Sequence, residues 1–276
     1  MISGETLQSL AEVSLYTEMS DLILNQIRSK PQNLIKISDI SVDDIKKYKI
    51  IYVYTQFLDD FFDKFYNHLN GVTLISHNSD YGIYDRHLKY LDGNNIKKWY
   101  CQNRESSHPK LFSIPIGLAN SQWPHGNQEL ITAIRSELNP KEILVYKNFD
   151  ISTNYNERHN CNNITNNNGI FLSNNTSLEN YWRAVSKSVF IISPPGNGID
   201  CHRIWEALYL RTIPIVKYHE SFSQFKHLPI LFVNSWDEVT IDNLQSSINI
   251  FKDIDFSNIQ ELTINYWSNL ITNENN

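Results

Sequence analysis

Residues 188–216 read SVFIISPPGNGIDCHRIWEALYLRTIPIV. In order they give an apolar strand (Ser188–Ser193), a Pro-Pro-Gly-Asn-Gly loop, a helix (Asp200–Leu210) and a second strand (Ile213–Val216). A β-loop-α unit of this kind presents backbone N–H groups and the positive end of a helix to an anion, and Gly196 and Gly198 let the backbone come close to it. A diphosphate fits that description. Asp200 stands where its side chain can cap the helix, and Arg203 and Glu206, three apart, share one helix face. Arginine suits phosphate oxygens and a glutamate suits a pair of ribose hydroxyls. An ordinary helix-surface ion pair beside a glycine turn meets the same spacing, so both readings stand on these residues alone. The pattern is neither GxGxxG nor a Walker loop, since no Gly-Lys-Ser/Thr follows, and dehydrogenase and P-loop readings drop out.

Working outward, the same alternation recurs. Residues 5–29 carry apolar side chains at helical spacing (Leu7, Leu10, Val13, Leu15, Leu22, Ile23, Ile27) and predict a helix. Ile50–Tyr54 and Val72–Ser76 are β-branched and apolar strand candidates flanking a helical Leu58–Leu69, and Leu111–Ile116 is a third strand. A loop over Gly117–Gly126 and a helix over Gln128–Leu138 lead to Asn139-Pro140, where a new strand, EILVYKNF, begins at Glu142. A chain of 276 residues is long for one domain. The boundary is therefore expected near 140, giving one domain over 1–140 and a second, which carries the anion loop, over 141–276. In the second half, the asparagine-rich 154–168 reads as a polar surface stretch with a helix entry inside it. Leu178–Ser186, Thr240–Phe251 and Ile259–Leu270 read as helices, and Leu231–Val233 as a short strand.

Composition narrows the function classes. A formal charge of −6 and a pI near 5.8 offer no long-range attraction to nucleic acid or an anionic membrane surface, so an anionic ligand needs a local basic site. The three cysteines, Cys101, Cys161 and Cys201, form no CxxC pair, and one is left over from any disulfide scheme; free thiols in a reducing compartment are expected. The N-terminus lacks a basic region followed by an apolar core, and no run of about 18 apolar residues occurs; the expectation is a soluble cytoplasmic protein with no membrane insertion.

Taken together, Ser193-Pro194-Pro195-Gly196-Asn197-Gly198, Arg203 with Glu206-Ala207-Leu208, and Ile213-Pro214-Ile215-Val216 resemble the signature of exostosin-type inverting glycosyltransferases. Thr73–Asp80, His108–Gly126, Tyr146–Arg158 and Leu228–Val239 are similar to segments of small exostosin-like proteins of bacteria and large DNA viruses, so the likeness covers roughly residues 50–245. The resemblance implies a GT-B fold: two Rossmann-like α/β domains facing a central cleft, with the last helix packing back on the N-terminal domain. It implies a nucleotide-sugar donor, a UDP-sugar first and a GDP-sugar second, from which one sugar passes to a hydroxyl of a glycan acceptor. Arg203 and Arg158 would neutralise the diphosphate, Glu206 would hold the ribose, and the Ser193–Gly198 loop, with Gly196, Asn197 and Gly198, would face the phosphates or the sugar. Fixed guanidinium and N–H groups can stabilise the charge that grows on the leaving diphosphate without a metal. The large animal members carry a membrane anchor and an extra metal-dependent domain, neither of which is seen in this sequence, so transfer of a single sugar is the expectation.

An inverting transfer needs a general base beside the acceptor hydroxyl, expected from the N-terminal half. Asp80, in the loop after the Val72–Ser76 strand, is the first candidate and His77 the second; both stand at the carboxyl end of a strand, where open α/β sheets bind ligands. Each has an ordinary alternative, a hydrogen-bonded structural histidine and a turn residue. His125, in Trp123-Pro124-His125-Gly126, is a third candidate, with Trp123 placed to stack on a sugar ring or simply to pack a Pro/Gly turn. No metal site is expected: Asp253-Ile-Asp255 has the DxD form but follows a helix near the C-terminus, and His202 beside Cys201 has no second ligand pair. Two rivals remain: another nucleotide-dependent transferase or phosphate-releasing hydrolase using the same loop, and a non-catalytic glycan- or nucleotide-binding protein on the same fold.

Overall fold

In the computed structural model, which describes residues 1–19, 33–174 and 176–273, every residue of Val72–His77 is buried, as are four of the five in Ile50–Tyr54. Runs with no polar face need cover on both sides, the condition of an inner strand in a parallel sheet. The first unit, Met1–Ile116 with Thr263–Asn276, builds such a sheet. Its strands are β1 (Val13–Tyr16), β2 (Leu34–Lys36), β3 (Ile50–Tyr54), β4 (Val72–His77), β5 (Ile96–Cys101) and β6 (Leu111–Ser113), all parallel in the order β2-β1-β3-β4-β5-β6. Around it lie α1 (Gly4–Gln8), α2 (Val42–Ile45), α3 (Leu58–Phe65) and α4 (Asp85–Leu88). Because side chains alternate along a strand, Ile51, Val53 and Leu74 join Phe61, Phe62 and Phe65 of α3 in one core, while Tyr54 turns the other way and donates its hydroxyl to Gln8 Oε1 at 3.2 Å. Tyr100 likewise donates to Leu270 O at 3.0 Å, so the C-terminal helix Ile264–Thr272 lies with the first unit. The strand order reverses between β1 and β3, and ligands of open parallel sheets bind beyond the carboxyl ends at such a point.

The second unit, Gly117–Leu262, contains α5 (Gln128–Ser136), β7 (Ile143–Tyr146), α6 (Tyr155–Asn167), α7 (Leu178–Ser186), β8 (Ser188–Ile192), α8 (His202–Tyr209), β9 (Ile213–Lys217), β10 (Leu231–Val233) and α9 (Ile241–Phe251). The four strands are parallel in the order β10-β9-β8-β7. Phe190, Ile192, Ile213, Ile215 and Val233 pack with Cys161 of α6 and Leu244 of α9 on one face. The alternate residues Ile191 and Val216 serve the other face, where α7 and α8 bury Trp182, Val185, Trp205 and Leu208. The protein thus has two Rossmann-like α/β units, the make-up of a GT-B fold. Among the described residues no helix is long and apolar enough to cross a membrane.

Several expectations need correction. The helix expected over 5–29 is α1 only, followed by β1; residues 20–29 of that expectation lie outside the described residues. The break near 140 is internal to the second unit. Helix α5 buries Ile131 and Ile134 and packs on α7, so the partition falls at Ile116/Gly117, and residues 263–276 return to the first unit rather than belonging to a 141–276 domain. The asparagine-rich stretch is a 13-residue helix, α6. Its buried stripe, Arg158, Cys161 and Thr165, has helical spacing without looking apolar. The final helix begins at Ile264, after two short 3₁₀ turns, rather than at 259.

Candidate functional site

Strand β8 hands over to the Pro-Pro-Gly turn through Ser193, whose N–H donates to Ile215 O at 2.9 Å. Ser193 is therefore a last rung of the sheet; it is buried, and its hydroxyl lies 3.5 Å from Ile191 O. The turn is braced from α6. Arg158, 5% exposed, donates from Nε to Pro195 O at 2.8 Å and from Nη1 to Asp150 O at 2.7 Å. One helical turn earlier, Asn154 Nδ2 donates to Gly196 O at 2.7 Å. A Cβ on Gly196 would stand 3.2 Å from Arg158 Nη2, a tight contact that the guanidinium would have to yield to by a few tenths of an ångström, and its φ lies outside the left-handed region, so any demand for glycine here comes from close approach and not from an unusual backbone angle. Gly198 is also buried without a positive φ, and Asn197 is exposed at the tip.

Arg203, on the first turn of α8, brings a second guanidinium to the same place. Its Cζ and that of Arg158 each lie 5.9 Å from the centre of the Phe149 ring, which stands just past β7. Two like charges this near one another depress the basicity of Arg158, after burial, the larger cause. Burial also works against the Arg203 charge, but Tyr181, Cys201 and Glu206 more than offset it, and its pKa is raised. Nε of Arg203 is buried with no hydrogen-bond partner. Arg203 and Glu206 do not form the exposed surface pair that their spacing also allowed: Glu206 is 6% exposed and accepts from the Tyr181 hydroxyl at 3.3 Å. Burial lifts the Glu206 carboxyl to about 6, against the pull of Arg203. Asp200 is not the side-chain cap of α8. Cys201 holds the cap position without a side-chain bond, and both Asp200 oxygens accept from Trp205 Nε1, at 2.8 and 2.9 Å. Burial raises the Cys201 thiol, whose sulfur lies 3.8 Å from Pro194 O.

The three base candidates separate. His77 is fully buried, with Nε2 3.0 Å from Pro115 O and Nδ1 3.0 Å from Asn78 Oδ1, and burial lowers its pKa. With both ring nitrogens engaged, its surroundings match the hydrogen-bonded structural histidine that the sequence also allowed. Asp80 is exposed in the loop beyond β4, its carbonyl accepting from Asn103 Nδ2 at 3.3 Å. His125 belongs to the second unit, not to an N-terminal domain. Its ring lies 6.0 Å from His202 at the start of α8, with Trp123 stacked on it at 6.5 Å, and His202 Nδ1 reaches Gly117 O at 2.8 Å. The structure thus gathers Arg158, Gly196, Arg203 and Glu206 in the second unit, with the His125 loop against the first turn of α8. Among the described residues no group of three or more His, Cys, Asp or Glu could hold a metal ion, and the Asp255 carboxylate is taken up by Ser257 and Asn258. Phe149, Asn154 and Tyr181 escaped the sequence reading. The one available signal was the position of Phe149 at the carboxyl end of the EILVYKNF strand.

Residues 145–253 match the family model of the RXYLT1 C-terminal domain, a stretch wholly inside the second unit that contains every residue of the guanidinium site. The match supports a glycosyltransferase-like family. None of the curated proteins compared with the chain matches it.

Proposed function

We propose that this protein is an inverting glycosyltransferase that takes one sugar from a nucleoside diphosphate sugar, a UDP-sugar first and a GDP-sugar second, to a hydroxyl of a glycan, in the cytoplasm and without a metal. The observation that carries this reading is the convergence of Arg158 and Arg203 on Phe149 beside the Pro195–Gly196 turn, with a buried Arg203 N–H that no protein acceptor satisfies. An orphaned buried donor costs about 1–3 kcal/mol, and an anionic oxygen would relieve it. As the anomeric carbon–oxygen bond breaks, the electron pair stays with the diphosphate. A guanidinium fixed in place stabilises that charge without reorganising during the reaction. Glu206, which accepts from the Tyr181 hydroxyl and feels the charge of Arg203, holds the nucleotide's ribose. Asp80, exposed at the carboxyl end of β4, takes the proton of the attacking hydroxyl.

A thermal-shift screen with EDTA present, against UDP, GDP, CMP and their sugars, tests the reading. Stabilisation by a uridine or guanosine diphosphate, approaching about 2.7 kcal/mol at 100 times the dissociation constant and lost in Arg203→Ala, is the expected result. Stabilisation by no nucleotide would overturn it. Asp80→Asn should abolish turnover and keep donor binding.

A further inference from the structure

We infer that Trp123 and His125 form a flat platform in the second unit on which a pyranose ring of the glycan acceptor stacks; the inference rests on the glycosyltransferase reading above. The sequence allowed two uses for Trp123, a sugar contact or the packing of a Pro/Gly turn, and the geometry favours the first. The turn closes without the indole: the Trp123 N–H donates to Asn120 O at 2.9 Å and the Gly126 N–H to Trp123 O at 2.8 Å. A Cβ on Gly126 would stand 2.1 Å from Asn120 O, a clash with backbone that has no flexible end to move, so the loop folds tightly onto its own start. The Trp123 side chain is left 43% exposed, whereas each of the other five tryptophans, Trp99, Trp182, Trp205, Trp236 and Trp267, is at most 3% exposed. A large ring held at the surface by a closed loop loses little freedom when it meets a ligand. Beside it the His125 ring lies within 13° of parallel, its centre 6.5 Å away, and is itself 6.0 Å from the ring of His202 at the start of α8. Partial burial lowers the pKa of His125, so the ring is mostly neutral at neutral pH.

The surroundings name the ligand class. Residues 117–128, GLANSQWPHGNQ, contain no Asp, Glu, Lys or Arg, and amides and a hydroxyl flank the two rings in sequence. An apolar ring face within an uncharged polar rim matches a pyranose, which offers C–H bonds on one face and hydroxyls around its edge. Its slightly positive C–H groups meet the negative face of the aromatic ring. A phosphate or a charged peptide finds no such match here. Arg158 and Glu206, which the donor reading uses, are 5% and 6% exposed. A platform as open as Trp123 suits the substrate that arrives as a chain from solvent, the acceptor.

Because the other tryptophans are buried, iodide quenching of indole fluorescence reads Trp123, and Trp123→Phe should remove most of the quenchable emission. The test uses the full chain with cellohexaose, xylohexaose, mannohexaose and chitohexaose as glycan probes, each with and without UDP, and UDP-glucose as the donor-side probe. The expected result is that at least one oligosaccharide shields Trp123 from iodide. In calorimetry that oligosaccharide should bind about 5- to 10-fold more weakly to Trp123→Ala, the size of one aromatic contact, and recover most of its affinity in Trp123→Phe. His125→Ala should fall between the two. UDP affinity and melting temperature should stay near wild type in all three variants, because the turn's hydrogen bonds are made by backbone. Shielding by no oligosaccharide overturns the inference, and UDP or GDP binding that needs Arg203 would then leave the nucleotide reading intact. Shielding by UDP-glucose alone assigns the platform to the donor sugar and also overturns it. So does a Trp123→Ala variant that melts lower yet binds the oligosaccharide as wild type does. Shielding by an oligosaccharide, with no binding of UDP or GDP, sustains the platform and sinks the transferase reading in favour of a glycan-binding protein.

Discussion

Replacing Glu206 by glutamine isolates the cost of keeping a carboxylate inside the site. Glu206 is 6% exposed, and burial raises its pKa from 4.5 to about 6, the charge of Arg203 offsetting only part of the rise. At 1.36 kcal/mol for each pKa step, the gap corresponds to about 2 kcal/mol. The sign follows from linkage: the folded pKa lies above the unfolded one, so folding is favoured with the proton on. That contribution is full below pH 4.5 and gone once the pH has risen past about 6. Glu206→Gln stays neutral throughout, and its amide oxygen can still accept from the Tyr181 hydroxyl, which now reaches Glu206 at 3.3 Å. Relative to wild type the variant should therefore gain about 2 kcal/mol between pH 4.5 and 7.5, or about 4–8 °C in melting temperature for a unit of this size. Urea and thermal unfolding of both proteins at pH 4.5, 6 and 7.5 measure the difference. Arg203→Met should raise the Glu206 pKa further and shift the midpoint of the pH dependence upward. A stability difference that does not change with pH, or one that turns against Glu206→Gln as pH rises, would refute the reasoning.

Lys147 is 1% exposed and donates to Asn162 O, Thr165 Oγ1, Asn166 Oδ1 and Ile170 O, at 2.7 to 3.1 Å, tying the end of α6 to β7. Lys147→Met should cost about 3 kcal/mol, read as a lower urea midpoint, because buried acceptors lose their donor; an unchanged midpoint would show that water replaces it. Asp200→Ala strands the Trp205 indole N–H in the core and should cost about 1–3 kcal/mol in the same measurement. His77→Gln should lower the melting temperature by several degrees while leaving the pH profile of turnover where it was; a displaced profile would return His77 to the catalytic machinery.

How much of this was legible in the sequence depends on what each segment has to bury. The strands β3, β4, β8 and β9 declared themselves because a parallel strand covered on both faces is a short apolar run. Strand β1 did not: its four residues, Val13–Tyr16, sit in a stretch whose leucines also satisfy a helical period, and only pairing with β2 and β3 decides between the two. Strand β5 was hidden by Lys97 and Lys98 in its first half, although Trp99–Cys101 are buried. Helix α6 was hidden by its own buried stripe, since Arg158 and Thr165 are polar groups that find partners only in the folded state.

The site divides along the same line. Arg203, Glu206 and the glycine turn were visible because a strand-turn-helix unit fixes where such residues stand before any tertiary contact forms. Their roles were not, because role depends on which neighbour takes each hydrogen bond. Gly196 is the plainest case: a glycine beside a predicted anion loop suggests room for phosphate, yet the atom that crowds the place of its missing Cβ is Arg158 Nη2, 38 residues upstream. The turn is held from behind by Arg158 and Asn154, which donate to Pro195 O and Gly196 O, and no spacing within the strand-turn-helix unit announces those contacts.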